Sequence, residues 1–288
     1  MGQIPEGRTT VMKTDEVSVG NSIEHLVIAS DLHGYREPLA AFERSFATAS
    51  SGQRKLFFNG DMFEGGIDPS ETTDWLRKNA DGTTVRGNHD YLVLNPPLGS
   101  EYPCDSEAYA CHELSPVQLE FVRGLPEQLI VHWRSRSICL THGHLSPNGE
   151  EVSWLSTPDE MTDFFGDSGF ALTVTAHTHW PFIRRNNGCL VANTGSLVHP
   201  IIAARMADGS LHWQTGRDPF AAGDDFRSSF LLVSEHAGEL ECQIVRFDYN
   251  RQALLDRYRQ IEELRYTFEF RQTWLTHGIA DLRKVYSS

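Results

Sequence analysis

Five short polar segments, each directly after a short apolar run, constrain the fold of this chain more than any other feature. The apolar runs are rich in β-branched or aromatic residues, which is typical of buried strands. In an open α/β sheet, ligands bind in the crevice at the carboxyl ends of the strands. We therefore expect five strand ends to bring the polar segments to one place. In chain order the segments are D-L-H-G (31–34), N-G-D (59–61), G-N-H-D (87–90), T-H-G-H (141–144) and H-T-H (177–179).

The segments together supply a set of side chains suited to metal binding. A lone Asp or His at a strand end is more often a cap or loop residue, but the joint occurrence of all the segments disfavours that interpretation. Imidazole and carboxylate together suit Zn, Mn, Fe, Ni or Co. The set is larger than one ion needs and suits two ions that share a carboxylate. Two ions roughly 3.5–4 Å apart can stabilise the attacking and leaving oxygens of an in-line displacement at phosphorus. The candidate ligands are Asp31, His33, Asp61, Asn88, His142, His177 and His179.

A structural zinc site is disfavoured by the cysteine spacing. Such sites are closed and usually use paired cysteines. The 5 cysteines of this chain form no C-x-x-C pair. The candidate ligands therefore indicate a reactive centre rather than a folding element.

The ordered segments resemble the motif set of the calcineurin-like metallophosphoesterase superfamily. That set reads D-x-H, G-D, G-N-H-D/E, H and G-H-x-H, and only the Gly before the last motif is replaced here, by Ala176. N-T-G-S at 193–196 is similar to the family's N-P-G-S turn. The resemblance runs from Glu24 to near Tyr249 and implies an α/β fold, a four-layer α/β/β/α sandwich.

The resemblance also implies roles for individual residues. Two divalent transition-metal ions (Mn, Fe, Zn, Ni or Co, with Mn favoured in vitro) are expected. His89 is not a ligand but the expected general acid, or the cation that stabilises the leaving oxygen. His144 is either an outer neighbour of the site or a histidine satisfied by a backbone carbonyl. Asp90 either orients His89 or a neighbouring loop, or has a plain capping role, which is favoured. The implied ligands of the first ion are Asp31, His33 and His179. Those of the second ion are Asn88, His142 and His177. Asp61 is implied to bridge the two ions.

The expected function is metal-dependent hydrolysis of phosphate mono- or diesters by in-line attack of a hydroxide that bridges the ions. G-D-M-F-E-G at 60–65 departs from the G-D-x-V-D-R-G segment of serine/threonine protein phosphatases and related diadenosine tetraphosphatases, and so lacks a phosphate-binding arginine. The H-T-H ending resembles bacterial phosphodiesterases, which favours small phosphodiesters or nucleotides. Arg36 and Arg86 are the nearest candidates for phosphate contacts.

Three alternatives stay open at this point. Two are catalytic: a protein phosphatase-like hydrolase and a diadenosine tetraphosphatase-like hydrolase. The third is a non-catalytic scaffold, because some relatives keep the fold for protein binding. Such relatives have typically lost metal ligands or the acid histidine, whereas this chain has both.

Charge and composition restrict the partners. Net charge is −14, with 39 acidic and 25 basic residues, so non-specific nucleic-acid binding is disfavoured. Scattered cysteines in odd number fit a reducing compartment. Residues 1–22 lack the apolar region of a signal peptide, and no apolar run approaches the roughly 18 residues of a membrane span. We expect a cytoplasmic protein with no membrane segment and a small-molecule phosphoester substrate; the oligomeric state stays open.

The predicted organisation is a flexible segment over residues 1–22 followed by a single domain over residues 23–288. Insertions are expected near residues 91–115, 145–169 and 197–228, the first as a loop and the last as a short hairpin or long loop. Aromatic side chains in these insertions are candidates for flanking the substrate: Tyr102, Tyr109, Trp154, Phe164, Phe165 and Trp213.

Periodicity and capping signals place several elements. Helices are expected over residues 37–49 and 71–79, and over residues 252–275 at the C-terminal end. Ser115 and Thr157 each precede a proline and begin a capping box, so each predicts a helix start. Two apolar runs joined by H-A-G-E predict a hairpin in a β-sandwich flanked by helices.

Overall fold

The structure, a computed structural model, describes residues 12–49, 51–95, 106–143, 152–166, 168–186, 188–265 and 267–284. Most of the strands form two sheets. In chain order the strands are β1 (Thr14–Val19), β2 (His25–Ala29), β3 (Arg54–Asn59), β4 (Thr84–Val85), β5 (Gln128–Trp133), β6 (Arg136–Thr141), β7 (Leu172–Thr175), β8 (Phe182–Asn186), β9 (Cys189–Asn193), β10 (Ala203–Arg205), β11 (Leu211–Trp213), β12 (Ser228–His236), β13 (Glu239–Phe247) and β14 (Ile279–Asp281).

The two main sheets are mixed. One has the order β1-β5-β6-β7-β9-β8, and the other has the order β13-β12-β2-β3-β4. Within them, β2, β3 and β4 run parallel to one another, as do β6, β7 and β9. A small third sheet has the order β11-β10-β14. Parallel neighbours end at the same edge, so each main sheet offers a row of carboxyl ends.

The described helices are, in chain order, α1 (Arg36–Ala49), α2 (Pro69–Asn79), α3 (Asn88–Leu94), α4 (Ser106–Glu113), α5 (Pro116–Gly124), α6 (Pro158–Phe165), α7 (Pro219–Ala222), α8 (Arg251–Tyr258) and α9 (Phe268–His277). Helices α1 to α5 pack on the outer face of one main sheet and α6 on that of the other, while α8 and α9 pack together in a separate cluster. Among the described helices, none is long and apolar enough to cross a membrane.

The order of helix and sheet layers can be read from the side chains that are buried on each face of the two main sheets. Alternate residues of a strand point to opposite faces. Phe57 and Leu231 therefore meet Val174 of the other sheet in the core between the sheets. Phe58, the next residue along β3, turns outward and packs edge-on against Phe42 of α1, with ring centroids 5.8 Å apart.

The other main sheet is covered in the same way. Phe165 of α6 packs with Phe182 and Val191 on the outer face of that sheet. The order of layers is helix, sheet, sheet, helix, which confirms the predicted four-layer α/β/β/α sandwich.

Both capping boxes form as predicted. Ser115 Oγ accepts from the Gln118 N–H at 3.4 Å, and the Gln118 side chain accepts from the Ser115 N–H at 2.9 Å. Thr157 and Glu160 make the same reciprocal pair at 3.3 and 2.7 Å. These boxes satisfy N–H groups that the first turn of a helix leaves without intrahelical acceptors. The helices predicted over residues 37–49 and 71–79 and the β12–β13 hairpin are also confirmed.

The prediction of a flexible segment over residues 1–22 is wrong for its second half. β1 pairs in parallel with β5, from Thr14 beside Gln128 to Val19 beside Trp133. Its polar residues stay largely exposed while Val19 joins the core between the sheets and Val17 packs against it, so the strand is held by its ladder and two apolar residues. Residues 1–11 lie outside the described part.

Two further predictions change in detail. The loop expected over residues 91–115 is wrong for much of its described part, because α3 extends to Leu94 and α4 spans Ser106–Glu113. Residues 96–105 lie outside the described part. The single helix expected over residues 252–275 is wrong, because α8 ends at Tyr258 and a 3-10 turn at Glu262–Leu264 redirects the chain into α9. In residues 197–228, β10 and β11 form the short hairpin that was one of the two expected forms.

Candidate metal centre

The five polar segments lie at strand ends, as expected, and the strands come from both main sheets. β2, β3 and β4 lead into Asp31, Asp61 and Asn88. β6 and β7 of the facing sheet lead into His142 and His177. The centre therefore lies at one edge of the sandwich, where both sheets contribute.

Buried amide and hydroxyl groups tie the strand ends together across the sandwich. Asn59 Nδ2 donates to the Thr141 carbonyl at 2.9 Å, which joins the end of β3 to the end of β6. Ser196, in the N-T-G-S turn, donates through Oγ to the Asp31 carbonyl at 3.1 Å. These bonds fix the loops in low-dielectric surroundings, where a satisfied polar network is rigid.

The structure brings six of the seven predicted ligands into two groups. Within each group, one imidazole nitrogen or carboxylate oxygen from each member lies within 4.8 Å of the others. Asn88 is an amide, and its Oδ1 is buried without a hydrogen-bond partner among the described residues. Asp61 is placed in the second group only, so its bridging role stays a prediction. The groups are Asp31, His33 and His179, and Asp61, His142 and His177.

In the first group, the hydrogen bonds of the histidines leave two lone pairs facing each other. His33 Nδ1 lies 2.9 Å from the Glu64 carbonyl, and His179 Nδ1 lies 3.2 Å from the His199 carbonyl. A carbonyl only accepts, so in the neutral rings both Nδ1 atoms carry the proton. The two Nε2 atoms lie 3.2 Å apart, and His179 Nε2 lies 3.1 Å from Asp31 Oδ1.

These separations match neighbouring ligands on one ion. With bonds of about 2.1 Å at about 90–110°, two ligand atoms are about 3.0–3.4 Å apart. Lone pairs that face each other at this distance repel unless a cation lies between them. The first group therefore fits a divalent ion by the chemistry of its donors.

The second group shows the same arrangement. His142 Nδ1 donates to the Asn59 carbonyl at 2.8 Å, and His142 Nε2 lies 3.1 Å from Asp61 Oδ2. Burial opposes protonation of His142, but the Asp61 carboxylate outweighs it and raises the pKa of His142 to about 9. A proton and a metal ion would therefore compete for the site between this imidazole and this carboxylate.

The backbone at the predicted ligands is strained. Left-handed φ is uncommon for residues other than glycine and costs roughly 1–2 kcal/mol per residue. Such strain persists where the surrounding structure over-determines it, and it clusters at functional sites. Five predicted ligands adopt it: Asp31 (φ 52°), His33 (51°), Asp61 (54°), His177 (66°) and His179 (59°).

Two glycines make the close approach of these loops possible. A Cβ on Gly87 would lie 2.1 Å from Asp61 Oδ1, and a Cβ on Gly60 would lie 2.3 Å from His142 Nδ1. Gly60 also has φ +89°, which favours glycine. The glycines of N-G-D and G-N-H-D are therefore required by the packing of the centre itself.

His89 lies at the edge of this centre and is held by a buried carboxylate. Its Nδ1 is 2.5 Å from Glu64 Oε2, and its ring centroid is 5.3 Å from that of His33. The His89 side chain is 33% exposed, whereas that of Glu64 is 1% exposed. Burial opposes protonation of His89, but Glu64 and Asp61 outweigh it and raise its pKa to about 9. His89 is thus an accessible imidazole whose Nδ1 faces a buried carboxylate that favours its protonated form.

Asp90 caps the loops rather than orienting His89. Its carboxylate accepts from the backbone N–H groups of Asp61 at 2.9 Å, Met62 at 2.8 Å and Gly87 at 2.9 Å. The capping alternative is therefore the one observed. Asp90 holds the N-G-D turn against the start of α3.

Three residues of the centre were missed from the sequence. Glu64 follows Met62 and Phe63 in an otherwise apolar stretch, and an acid in such a stretch was the available signal. Arg271 donates to Glu64 Oε1 at 3.1 Å. The Trp274 ring lies 5.8 Å from that of His33 and 5.4 Å from that of His179. Arg271 and Trp274 lie on α9, and no motif marks either of them.

The candidate phosphate-binding arginines are engaged elsewhere. Arg36 lies 3.4 Å from Glu71 Oε2, and Arg86 lies 2.8 Å from Glu127 Oε1. Both guanidinium groups already contact carboxylates, which disfavours the predicted phosphate contacts. His144 lies outside the described residues.

The aromatic residues predicted to flank the substrate have different surroundings in the structure. Phe165 is 2% exposed and belongs to the core under α6, so its predicted place beside the substrate is wrong. The Tyr109 hydroxyl donates to the Ile67 carbonyl at 3.4 Å. Trp213 packs against Phe220, with ring centroids 6.4 Å apart. Tyr102 lies outside the described residues.

Comparison with known proteins defines the class. A sequence model of the calcineurin-like phosphoesterase superfamily domain matches residues 25–210, so the chain belongs to that superfamily. The matched range contains all of the predicted ligands and His89 but ends before α9. Among curated proteins, none matches the sequence significantly.

Two solved structures show the same fold. A metallophosphoesterase from Sphaerobacter thermophilus is 16% identical with a TM-score of 0.60, and the match covers 86% of this chain and 98% of that one. A hypothetical protein from Pyrococcus horikoshii OT3 is 16% identical with a TM-score of 0.63, covering 88% and 98%. At this identity the likeness extends to the fold alone.

Proposed function

We propose that this protein is a dinuclear metal-dependent phosphoesterase that hydrolyses small phosphodiesters or nucleotides. The main support for the proposal is the pair of ligand groups, because the donor atoms within each group are spaced as the ligands of a single ion would be. An accessible His89 lies beside them. Binding of a divalent ion in the first group would remove the lone-pair repulsion described above, and the second group offers one carboxylate and two imidazoles to another ion. Superfamily membership supports the reaction class.

The ligands would divide between two ions. Asp31, His33 and His179 would hold the first; His142, His177 and the amide oxygen of Asn88 would hold the second, with Asp61 shared. Two divalent ions so placed supply a water nucleophile of lowered pKa and neutralise charge on the phosphoryl group. Mn, Fe, Zn, Ni and Co all suit these ligands.

His89 would donate a proton to the departing oxygen. General acid catalysis requires an accessible group held in one orientation, and such a group typically contributes about 10²–10⁴-fold. The 2.5 Å contact of His89 Nδ1 with buried Glu64 provides the orientation and leaves Nε2 for the leaving group. Glu64 would thus act by positioning His89.

A diester substrate suits the charges of the centre. Residue 65 is Gly where protein phosphatases and diadenosine tetraphosphatases are expected to carry a phosphate-binding arginine, and Arg36 and Arg86 pair with carboxylates. A diester carries one negative charge, whereas a monoester carries about 1.5–2 near neutral pH. With fewer cationic side chains, the centre favours the less charged ester.

The scaffold alternative is disfavoured by the complete set of predicted ligands. A protein-binding role does not require left-handed φ at five candidate ligands or facing lone pairs at 3.2 Å. These features cost free energy, and binding of cations offsets that cost.

The acid role of His89 is tested with His89→Ala. The variant should keep its metals, since His89 is not a proposed ligand, but lose about 10²-fold or more in turnover of a cyclic nucleotide, whose leaving group is an alkoxide. Turnover of bis-p-nitrophenyl phosphate should fall far less, because p-nitrophenolate leaves without a proton. His112→Ala, at a side chain 88% exposed, is the matched control. Equal losses on both substrates would contradict the acid role.

The substrate class is tested with a hydrolysis panel of monoesters, diesters, cyclic nucleotides and dinucleoside polyphosphates. Each is assayed with Mn, Ni, Zn and Mg. We expect kcat/KM to be highest for a diester or nucleotide with a transition metal. Absence of hydrolysis with every metal, in protein shown to bind two ions, would support the scaffold alternative instead.

A further inference from the structure

We propose that Arg271, on α9, is a positioning residue that fixes the Glu64 carboxylate and through it the acid His89. The inference rests on the proposed function and deepens it. It places one part of the active site on a helix outside residues 25–210, the range that matches the superfamily domain.

The two oxygens of Glu64 have separate partners. Oε1 accepts from Arg271 Nη2 at 3.1 Å and from the Ser106 hydroxyl. Oε2 faces His89 Nδ1 at 2.5 Å. A carboxylate held at one oxygen by two donors cannot rotate about its terminal torsion, which is otherwise soft. The second oxygen is therefore fixed toward His89.

The charge of Glu64 also requires Arg271. The carboxylate is 1% exposed, and a buried carboxylate without a cation is strongly destabilised. Arg271 is 10% exposed at its side chain and carries a permanent charge in a planar fork. A histidine carries charge only while protonated, so Arg271 is the constant partner of Glu64.

The surrounding structure is built around the guanidinium. A Cβ on Gly65 would lie 3.0 Å from Arg271 Nη2 and 3.2 Å from Cζ, which is tight, and its φ of +106° also favours glycine. The rings of Phe270 and Trp274 lie 5.6 and 5.7 Å from Cζ. Arg271 is largely enclosed, and its Nη2 is directed to Glu64 Oε1 and Ser106 Oγ. Its contribution passes through Glu64, which makes it a positioning residue.

The test compares Arg271→Met and Arg271→Lys with the wild type on two substrates. Arg271→Met keeps an apolar stem but loses the charge and the donors. It should keep both metals and an unchanged KM, while kcat for a cyclic nucleotide falls about 10²-fold, the lower end of general acid catalysis. The kcat for bis-p-nitrophenyl phosphate should fall less than about 5-fold, because its leaving group needs no proton. Arg271→Lys should lie between, and added guanidinium ion should restore part of the activity of Arg271→Met.

Leu275→Ala is the matched control. Leu275 lies on the same helix, is buried in the cluster with Tyr258 and Trp274, and its loss destabilises α9 without touching Glu64. It should lower the melting temperature yet leave the ratio of the two rates unchanged. The same change of ratio in Leu275→Ala, or proportional losses on both substrates in Arg271→Met, would overturn the inference.

Two further results keep the inference separable from the proposed function. If Arg271→Met does not fold, Arg271→Lys and Ser106→Ala, which removes the other donor to Glu64 Oε1, carry the same test. If wild-type protein hydrolyses neither substrate, the proposed function fails. If His89→Ala shows the leaving-group effect and none of the variants at Arg271 and Ser106 does, only the role of Arg271 fails.

Discussion

Gly87→Ala should remove metal from the centre by adding one methyl group. Gly87 precedes Asn88, and its added Cβ would lie 2.1 Å from Asp61 Oδ1 and 2.5 Å from Asp61 N. Ordinary contact begins at 3.4 Å, so relief requires a displacement of about 1.3 Å (3.4 minus 2.1). Metal ligands tolerate about 0.2 Å. Asp61 therefore cannot keep its ligand position, and the free energy of unfolding should also fall by about 1–3 kcal/mol.

The assay combines elemental analysis with kinetics. Wild type is expected to hold two transition-metal ions per chain, and Gly87→Ala should hold at most one. Turnover of bis-p-nitrophenyl phosphate should fall at least about 10²-fold, since a 1 Å misplacement already costs that much. The melting temperature of metal-free protein should fall by roughly 2–5 °C.

Gly124→Ala is the control for the chemical change itself. Gly124 ends α5, and a Cβ there meets nothing within 4 Å among the described residues. In a helix, Ala is more stable than Gly by up to about 1 kcal/mol, so this variant should be neutral or slightly stabilised. Gly87→Ala with two ions and full turnover would refute the placement of Asp61 as a shared ligand.

Two more outcomes follow from the centre. His179→Ala should weaken mainly the first ion and His177→Ala mainly the second, as measured by metal titration of each variant; loss of both ions in both variants would contradict the division into two groups. Co²⁺ or Ni²⁺ should quench the fluorescence of Trp274, whose ring lies 5.4 Å from that of His179. Trp274→Phe should remove most of that quenching and Trp75→Phe little of it, whereas equal effects would place the ion elsewhere.

The parts of the fold that local sequence determines were predictable. Ser115 and Thr157 begin helices because each capping box is complete within four residues of sequence. The strand ends were predictable for the same reason, since each apolar run and its polar segment are adjacent in the chain. The strand ends predicted that seven candidate ligands would meet, the resemblance to the superfamily divided them between two ions, and the structure brings six of them into two groups.

The errors lie where distant contacts decide the outcome. Thr14–Val19 is a polar sequence that becomes a strand because β5, more than 100 residues later, supplies its hydrogen-bond partners. Arg86 was predicted to contact phosphate because it directly precedes G-N-H-D in the sequence, yet in the structure it forms an ion pair with Glu127. Arg271 could not be found, because nothing local indicates that Glu64, 207 positions earlier, needs a cation.

The position of α9 has a consequence for how the protein is made. Arg271 is 92 positions beyond His179 (271 minus 179). At about 5–20 residues per second, a ribosome adds that stretch in roughly 5–20 s. Throughout this interval the nascent chain already contains every predicted metal ligand and His89, while Glu64 still lacks the guanidinium that holds Oε1 in the finished protein. The contact that positions the proposed acid is therefore completed later in synthesis than the predicted ligands, and later even than β12, the strand that pairs with β2.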